Sequence, residues 1–353
     1  MPSMQAQLRL TCRITTFVIL YSTCSLNAAV IEISGAAPLR DAAIRYASCL
    51  PREKRKYESH NSGFSELTVN INFTSVSKTK EFTMSSAFQL RPLGSTGITV
   101  TPLGLSASYF PGKKSVYAAA EEGVNLFFAY GFDVQMIRAL RELMKSRRDK
   151  FTLVTGAYNY VWWAQDVRKA FEKRLRQFNT DYIDVFLFMG VMKPAELTPR
   201  VHEDLLKLRE EGKVRAIGVS CHNRAFLGKL ATDGDVNALM LRYNAAHRGA
   251  ERDIFPHLAT HNPGVISYTA TRWTALLRRP KAWPKGARIP TAGECYRFVL
   301  SNPHVHVVLT APRGERELRE NIAAVHQGPL DEEDMKFMRE FGDAVYNQKK
   351  WFM

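Results

Sequence analysis

The segment Leu208-Arg-Glu-Glu-Gly-Lys-Val-Arg-Ala-Ile-Gly-Val-Ser-Cys-His-Asn223 indicates a helix, a turn and a buried strand in succession. Charged residues predict a helix that ends at Gly212, and the nearly unbroken apolar run from Val214 stops at Ser220. Such a run is typical of a parallel strand that is covered on both faces. In a βα-barrel, the polar residues just beyond a strand face the ligand. The segment therefore predicts an α/β fold with Ser220 near a binding site.

From residue 88 onward, strand-like and helix-like segments alternate eight times. The predicted strands span 102–105, 124–128, 151–155, 182–188, 214–219, 236–241, 265–268 and 305–309. The predicted helices span 115–122, 134–146, 164–178, 196–211, 224–232, 253–260, 291–301 and 315–325. Eight consecutive βα units predict a (β/α)8 TIM barrel, and a doubly wound sheet is weaker because no Gly-x-Gly-x-x-Gly follows an early strand.

Two further elements frame this repeat. Residues 88–100 read as a β-hairpin around Gly94 and Gly97 that precedes the first unit. A last helix over 331–346 begins with the acidic turn Asp331-Glu-Glu-Asp334, as the helix dipole prefers. The barrel domain is therefore predicted to occupy residues 85–353.

Residues 1–84 differ in pattern from the rest of the chain. A short apolar run, 14–20, follows Arg9 and Arg13 and has the outline of a signal peptide, and it is too short for a membrane helix. No sustained hydrophobic period follows it. Two interpretations stay open: a poorly ordered extension with no folded role, or an export signal.

The charge and the cysteines exclude some functions. The formal net charge is +15, and most of the excess lies beyond residue 84. Nucleic acid is one partner that this charge would suit, but no zinc-finger spacing or RNP-like motif supports it, so a phosphate-bearing small molecule is the simpler expectation. The five cysteines form no Cys-x-x-Cys pair and signal no zinc site or disulfide framework, which predicts a reducing, cytoplasmic setting without a membrane partner.

Seven short motifs occur in one order from about residue 90 to 341. They are Arg91-Pro-Leu-Gly-Ser-Thr-Gly97, Pro102-Leu-Gly-Leu105, Glu122-Gly-Val-Asn125, Thr180-Asp-Tyr-Ile-Asp184, the opening segment, Arg242-Tyr-Asn244 and Leu318-Arg-Glu-Asn-Ile-Ala323. In wording, order and spacing they resemble the aldo/keto reductase family. The resemblance implies a barrel enzyme that reduces a carbonyl compound with NADPH, using a Tyr general acid assisted by an Asp, a Lys and a His.

The catalytic part of the resemblance is incomplete. Phe128, Gly156 and Met189 stand where the family has its Asp, Lys and His. Tyr130 is the candidate remnant of the family's Tyr, either as proton donor or as an aromatic residue packed at the barrel rim. A phenol with a pKa near ~10 is a poor acid at neutral pH, so the missing Lys removes an expected source of pKa depression. His247, after the sixth strand, is a candidate replacement acid or base, as is His222.

The cofactor part is better preserved. Ser220 matches the family's Ser that holds the nicotinamide carboxamide, and Tyr268 matches the aromatic residue on which the nicotinamide ring stacks. Arg272 lies in a basic loop that resembles the turn contacting the pyrophosphate.

The start of the eighth helix completes the predicted cofactor site. Arg313 and Arg316 there could bind the adenosine 2′-phosphate, because helix N-terminal amides and guanidinium groups together favour phosphate. Asn321, in the same helix, is also predicted to bind the cofactor. Glu317 stands where the family often has a phosphate-binding Arg, so NADP(H) is expected with NAD(H) as the alternative.

Two functions stay open from the sequence. The first is an NAD(P)H-dependent reductase of an aldehyde or ketone. The second is a binding or regulatory protein that kept the barrel and the cofactor cleft but lost the chemistry. A hydrolase or lyase on the same fold is less consistent, because neither paired carboxylates nor a metal-ligand spacing is evident.

Overall fold

The computed structural model describes residues 29–32, 70–73, 89–129, 131–159 and 166–348. The chain divides into two compact units, residues 1–83 and 84–353. In the first unit, strand β1 (Ala29–Glu32) pairs antiparallel with β2 (Asn70–Phe73). The predicted extension, residues 1–84, otherwise lies outside the described residues, and its role stays a prediction.

The second unit is a closed barrel of eight parallel strands. In order around the barrel these are β5 (Leu103–Ser106), β6 (Leu126–Phe128), β7 (Thr152–Tyr158), β8 (Ile183–Val191), β9 (Val214–Cys221), β10 (Ala238–Arg242), β11 (Gly264–Tyr268) and β12 (Val307–Thr310), with β12 pairing back to β5. The predicted (β/α)8 barrel is therefore confirmed. Every predicted strand overlaps an observed one, and the differences are at the ends.

Helices alternate with these strands along the chain. They are α1 (Gly112–Glu121), α2 (Val134–Arg147), α3 (Val167–Phe178), α4 (Pro199–Glu210), α5 (Arg224–Asp233), α6 (Ala250–Asp253), α7 (Ala292–Leu300), α8 (Glu315–His326) and α9 (Glu332–Gln348). Gly212, which follows α4, has φ of 69°, a conformation that glycine adopts readily, and so the helix ends where the sequence predicts. The last helix was expected over 331–346 and is α9.

The sixth predicted helix, 253–260, is wrong in position. The structure has the single turn α6 followed by a 3-10 turn, Phe255–His257. Pro256 explains the difference: it has no N–H to donate and its ring opposes the carbonyl of the preceding turn, so the α-helix cannot run through it.

The core has two layers that alternate along each strand. Residues facing outward pack against the helices, whereas a second cluster fills the inside of the barrel with side chains such as Val154, Val185 and Ile266. The predicted hairpin is present as β3 (Arg91–Pro92) and β4 (Thr99–Val100). Its Leu93, Ile98 and Val100 belong to the inner cluster, so the hairpin closes the N-terminal end of the barrel and leaves only the C-terminal end open.

Candidate functional site

A cavity of about 290 Å³ opens at the C-terminal ends of the barrel strands. Every strand contributes at least one residue to its wall, from the strand itself or its last position: Ser106, Phe128, Tyr158, Met189, Ser220, Met240, Tyr268 and Leu309. Alternation along a strand explains this, because the residues that face the barrel interior reach the open end on all eight strands. The sequence-predicted Ser220 and Tyr268 are therefore brought together in one chamber.

The chemistry of the cavity wall is neutral. Among the described residues that line it there is no Asp, Glu, Lys or Arg; the polar side-chain groups are hydroxyls, one imidazole and the indole N–H of Trp273. Phe128 and Met189 are almost completely buried in the wall. Such a wall favours an uncharged, partly aromatic group over a charged one. Tyr130, the predicted proton donor, lies outside the described residues.

Tyr268 and His222 form a pair on one side of the cavity. The Tyr268 hydroxyl and His222 Nδ1 are 3.3 Å apart, and the two rings meet edge to face. Burial lowers the pKa of His222, and the Arg242 charge lowers it further, so the imidazole is neutral at neutral pH. The pair fixes the direction of the Tyr268 ring, with Ser220 on the neighbouring part of the wall.

The residue after Ser220 faces away from this cavity. Cys221 lines a separate pocket of about 10 Å³, and its Sγ accepts a hydrogen bond from the Asn223 amide at 3.2 Å. Burial raises the pKa of the Cys221 thiol to about 11. The thiol is therefore not a nucleophile for chemistry in the large cavity.

His247 lies at the same small pocket and not on the wall of the large cavity. Its backbone amide donates to Asn244 Oδ1 at 2.9 Å. Burial and then the charges of Arg242, Arg272 and Arg224 lower the pKa of His247 to about 3. A neutral imidazole beside a different pocket gives no support to the predicted acid–base role, which stays a prediction.

The loop after β11 forms one lip of the cavity and has an unusual backbone. Thr269, Arg272, Trp273 and Thr274 all have φ between 50° and 67°, and the lining includes Thr269 and Trp273. Several non-glycine residues in this conformation imply stored strain, which tends to cluster at functional sites. Trp273 is half exposed and meets Tyr109 edge-on at the cavity mouth.

Within this loop, Arg272 points inward. It is 2% exposed, and its guanidinium donates to the Val345 carbonyl on α9 at 2.7 Å. Arg272 therefore ties the strained loop to the last helix. The sequence predicted a side chain that contacts a phosphate, and the observed direction gives that role no support.

The three residues predicted at the start of the eighth helix are divided between the surface and the core, with Arg313 just before α8 and the other two within it. Arg313 and Arg316 have side chains that are 86% exposed, paired with Glu317 and Glu320 respectively. The Glu317 carboxylate also accepts the Arg313 backbone N–H at 3.0 Å, which holds the pKa of Glu317 below its ordinary value. An acidic side chain therefore already occupies the N-terminal amide where a phosphate is predicted to bind.

Asn321 of the same helix is buried. Its Nδ2 donates to the Thr310 hydroxyl at 3.1 Å, and Thr310 donates to the hydroxyl of Tyr296, which lines the cavity. Asn321 thus supports the end of β12 from behind.

One residue near the site was missed from the sequence. Arg174 on α3 is 6% exposed, and its Nε donates to the Gly156 carbonyl on β7 at 3.1 Å. The signal was present: the buried positions of α3 are Val167, Ala170, Phe171, Arg174 and Phe178, a helical stripe in which one member is a cation.

Two further kinds of feature are absent from the residues that the structure describes. In the described parts of the chain, no group of three or more metal-ligating side chains could hold an ion. Nor is any helix in those parts both long and apolar enough to cross a bilayer.

Comparisons with known proteins agree with the barrel and its open end. The model of the aldo/keto reductase family matches residues 114–283. L-galactose dehydrogenase of Arabidopsis thaliana is 25% identical over 284 residues, covering 67% of this chain and 88% of that protein. The NADH-specific methylglyoxal reductase of Escherichia coli is 22% identical over 323 residues, covering 72% and 98%.

Solved structures show the same fold. The holo form of aldo-keto reductase AKR11C1 from Bacillus halodurans has a TM-score of 0.62 at 20% identity, with 73% of this chain and 97% of that chain covered. An aldo-keto reductase from Klebsiella pneumoniae in complex with NADPH has a TM-score of 0.56 at 21% identity, with 72% and 95% covered. By the matching family model over residues 114–283, the oxidoreductase relatives and the closed barrel, this chain is similar to the aldo/keto reductase family.

Proposed function

We propose that this protein is an oxidoreductase that reduces an aldehyde or ketone to an alcohol with NADPH, or with NADH, as the coenzyme. The observation that carries the proposal is the neutral cavity at the open end of the barrel, with Tyr268 and Ser220 on its wall. These are the positions that the family resemblance assigns to nicotinamide stacking and to the carboxamide. The relatives described above include an enzyme named as NADH-specific and a structure with NADPH bound.

The residues present fit the uncharged end of such a coenzyme. About 290 Å³ is near the lower limit of ordinary ligand pockets, enough for a nicotinamide ring and a small carbonyl group. A wall without formal charge matches the ring and leaves the phosphates to the rim, where Arg313 and Arg316 are exposed. Bound there, the coenzyme supplies a hydride; Tyr268, aligned by His222, gives its ring a face to stack on.

A second candidate function follows from one observation. Phe128 and Met189 in the cavity wall, and Gly156 on β7, provide no titratable group at the positions where the resemblance places the family's Asp, His and Lys. A protein that binds the coenzyme and does not turn over a carbonyl substrate is consistent with this.

Turnover separates the two functions. The purified full chain is titrated with NADPH and NADH, and the loss of reduced-coenzyme absorbance is then followed with a panel of small and aromatic aldehydes and ketones. The reductase proposal predicts saturable turnover. A Tyr268→Ala variant should weaken it by raising the KM for the coenzyme. Tight binding without any turnover would leave the binding function; absence of both would remove both proposals.

A further inference from the structure

The starting point is a buried cation behind the open end of the barrel. Arg174 is nearly inaccessible, and its hydrogen bonds go to the Gly156 carbonyl at 3.1 Å and to the side chain of Gln177 at 2.6 Å. Both acceptors are neutral. Among the residues that the structure describes, no carboxylate lies within ion-pair distance of it. A buried charge without an opposite charge is costly, so its presence requires an explanation.

Two glycines flank this guanidinium, and one of them, Gly131, makes room for it. A Cβ built on Gly131 would come within 1.7 Å of Arg174 Nη1, so residue 131 has no space for a side chain while Arg174 keeps its place. Gln177 donates to the Gly131 carbonyl at 2.8 Å and holds that segment against the guanidinium. On the other side, Gly156 presents the carbonyl that Arg174 binds. The charge therefore lies between the segment after β6 and the end of β7.

Gly156 is also the position where the resemblance places the family's Lys. A Lys at this position would extend its ammonium group from the strand into the barrel. Here the strand has no side chain at that position, and the guanidinium of Arg174 on α3 binds its carbonyl.

The group that this charge would serve is Tyr158. It is two residues beyond Gly156 on β7, hence on the same inward face, and it lines the cavity opposite Met189 of the neighbouring strand. Arg174 reaches this end of the strand through its hydrogen bond to the Gly156 carbonyl, two residues before Tyr158. Burial lowers the pKa of Arg174, and the Tyr158 phenol opposes that shift. A nearby cation favours the phenolate and so makes a tyrosine a stronger acid.

We propose that Tyr158 is the proton donor for carbonyl reduction in this protein and that Arg174 is the positioning residue that supplies the positive charge beside it. The proposal rests on the proposed reductase function. When bound, the reduced coenzyme supplies a hydride to the carbonyl carbon. The carbonyl oxygen takes the proton from Oη of Tyr158, the alcohol forms, and the tyrosinate, stabilised by Arg174, takes a proton from water. The carbonyl is reduced and the coenzyme oxidised.

The first test is kinetic. Tyr158→Phe removes only the hydroxyl, and it should lower kcat by about 10²–10⁴-fold with little change in KM, the usual effect of losing a general acid. Tyr117→Phe on the outer helix α1 is the matched control and should leave kcat unchanged. If Tyr130→Phe gives the large loss and Tyr158→Phe does not, the assignment is overturned while the reductase function stands.

The second test needs no turnover. Tyrosine carrying a ¹³C label at Cζ reports phenol ionisation by NMR in the coenzyme-free full chain, and the Tyr158 signal is assigned by its absence in Tyr158→Phe. Arg174→Met should move Tyr158 ionisation upward by about one pH unit or more, and Arg174→Lys should restore part of the difference. The pH profile of kcat/KM should move in the same direction.

A third variant displaces the guanidinium without removing it. In Gly131→Ala, the new methyl group must push the flexible end of Arg174 aside, and we expect the same direction of change in Tyr158 ionisation. The melting temperature should fall, because the displaced guanidinium loses its two buried hydrogen bonds. Equal Tyr158 ionisation in wild type, Arg174→Met and Gly131→Ala would overturn the role of Arg174. A wild type that binds coenzyme and never turns over would overturn the proton-donor role together with the reductase function.

Discussion

Asp184 is expected to be the most sensitive ionisable position for stability at the closed end of the barrel. Its carboxylate is 1% exposed at the start of β8 and makes three polar contacts, two of them hydrogen bonds and one an ion pair without a hydrogen bond. One comes from the Leu153 amide at 2.9 Å, one from Arg148 at 2.8 Å and one from Arg215 at 3.0 Å. The network therefore joins β7, β8, β9 and the turn after α2 through a single side chain.

The magnitude for Asp184→Ala follows from these contacts. Breaking a buried ion pair costs about 3–5 kcal/mol, and a buried amide left without an acceptor costs about 1–3 kcal/mol. The Arg215 pair adds little because that side chain is 44% exposed. Arg148 keeps the carbonyls of Phe151 and Tyr182 as acceptors, so the contributions do not add fully. We expect a loss of about 3–4 kcal/mol in the free energy of unfolding.

Urea unfolding of the full chain, followed by tryptophan fluorescence, measures this loss. A parallel thermal melt should show a decrease of about 10 °C, given about 2–4 °C per kcal/mol for a domain of this size class. Glu203→Gln is the control, because the Glu203–Lys207 pair on α4 is exposed and its loss should leave the free energy of unfolding nearly unchanged. A loss below about 1 kcal/mol for Asp184→Ala would refute the argument that this network is a buried ion-pair system.

Three further outcomes are expected. Gly156→Lys should destabilise the protein and abolish turnover instead of improving it, since a Cβ there would lie 1.8 Å from the Leu187 carbonyl oxygen; a melting temperature equal to wild type would contradict this. Stability should fall as the pH drops below about 6.5 towards 3. The reason is that His247 takes up a proton in the unfolded chain but not in the folded protein, where its pKa is about 3. In urea unfolding, His247→Gln should show a shallower fall in stability between about pH 6.5 and 5. Glu317→Gln should release the side chain and the backbone amide of Arg313. In a binding titration the affinity for NADPH should then rise about threefold to tenfold more than the affinity for NADH. Equal changes for both coenzymes would exclude a 2′-phosphate site there.

The fold was predictable because it depends on patterns within short segments. Apolar runs such as 214–219 are read directly as buried strands, and eight of them in alternation with helices leave few topologies. The ends of strands were harder to predict. β7 continues to Tyr158 and β8 to Val191, beyond the predicted 155 and 188. The end of β7 pairs with β8, and the end of β8 pairs with its other neighbour, β9. That pairing is a tertiary property.

The position of the site was predictable from the sequence, but the directions of its side chains were less so. Ser220 and Tyr268 line the cavity because strand periodicity carries them there. Arg272 and Asn321 were assigned from motifs, and they turn towards Val345 and Thr310, partners that no local pattern specifies. Arg174 shows the opposite case: its helical stripe was visible in the sequence, but its meaning depends on Gly131 and Gly156 being next to it in space.

The central claim is that the open end of this barrel binds the nicotinamide part of a dinucleotide. A titration of the purified full chain with NADPH and with NADH, read by calorimetry, tests it most directly. The account predicts saturable one-to-one binding of at least one coenzyme, with a Kd well below about 1 mM, that weakens in Tyr268→Ala. Absence of saturable binding for both coenzymes up to about 1 mM would contradict it.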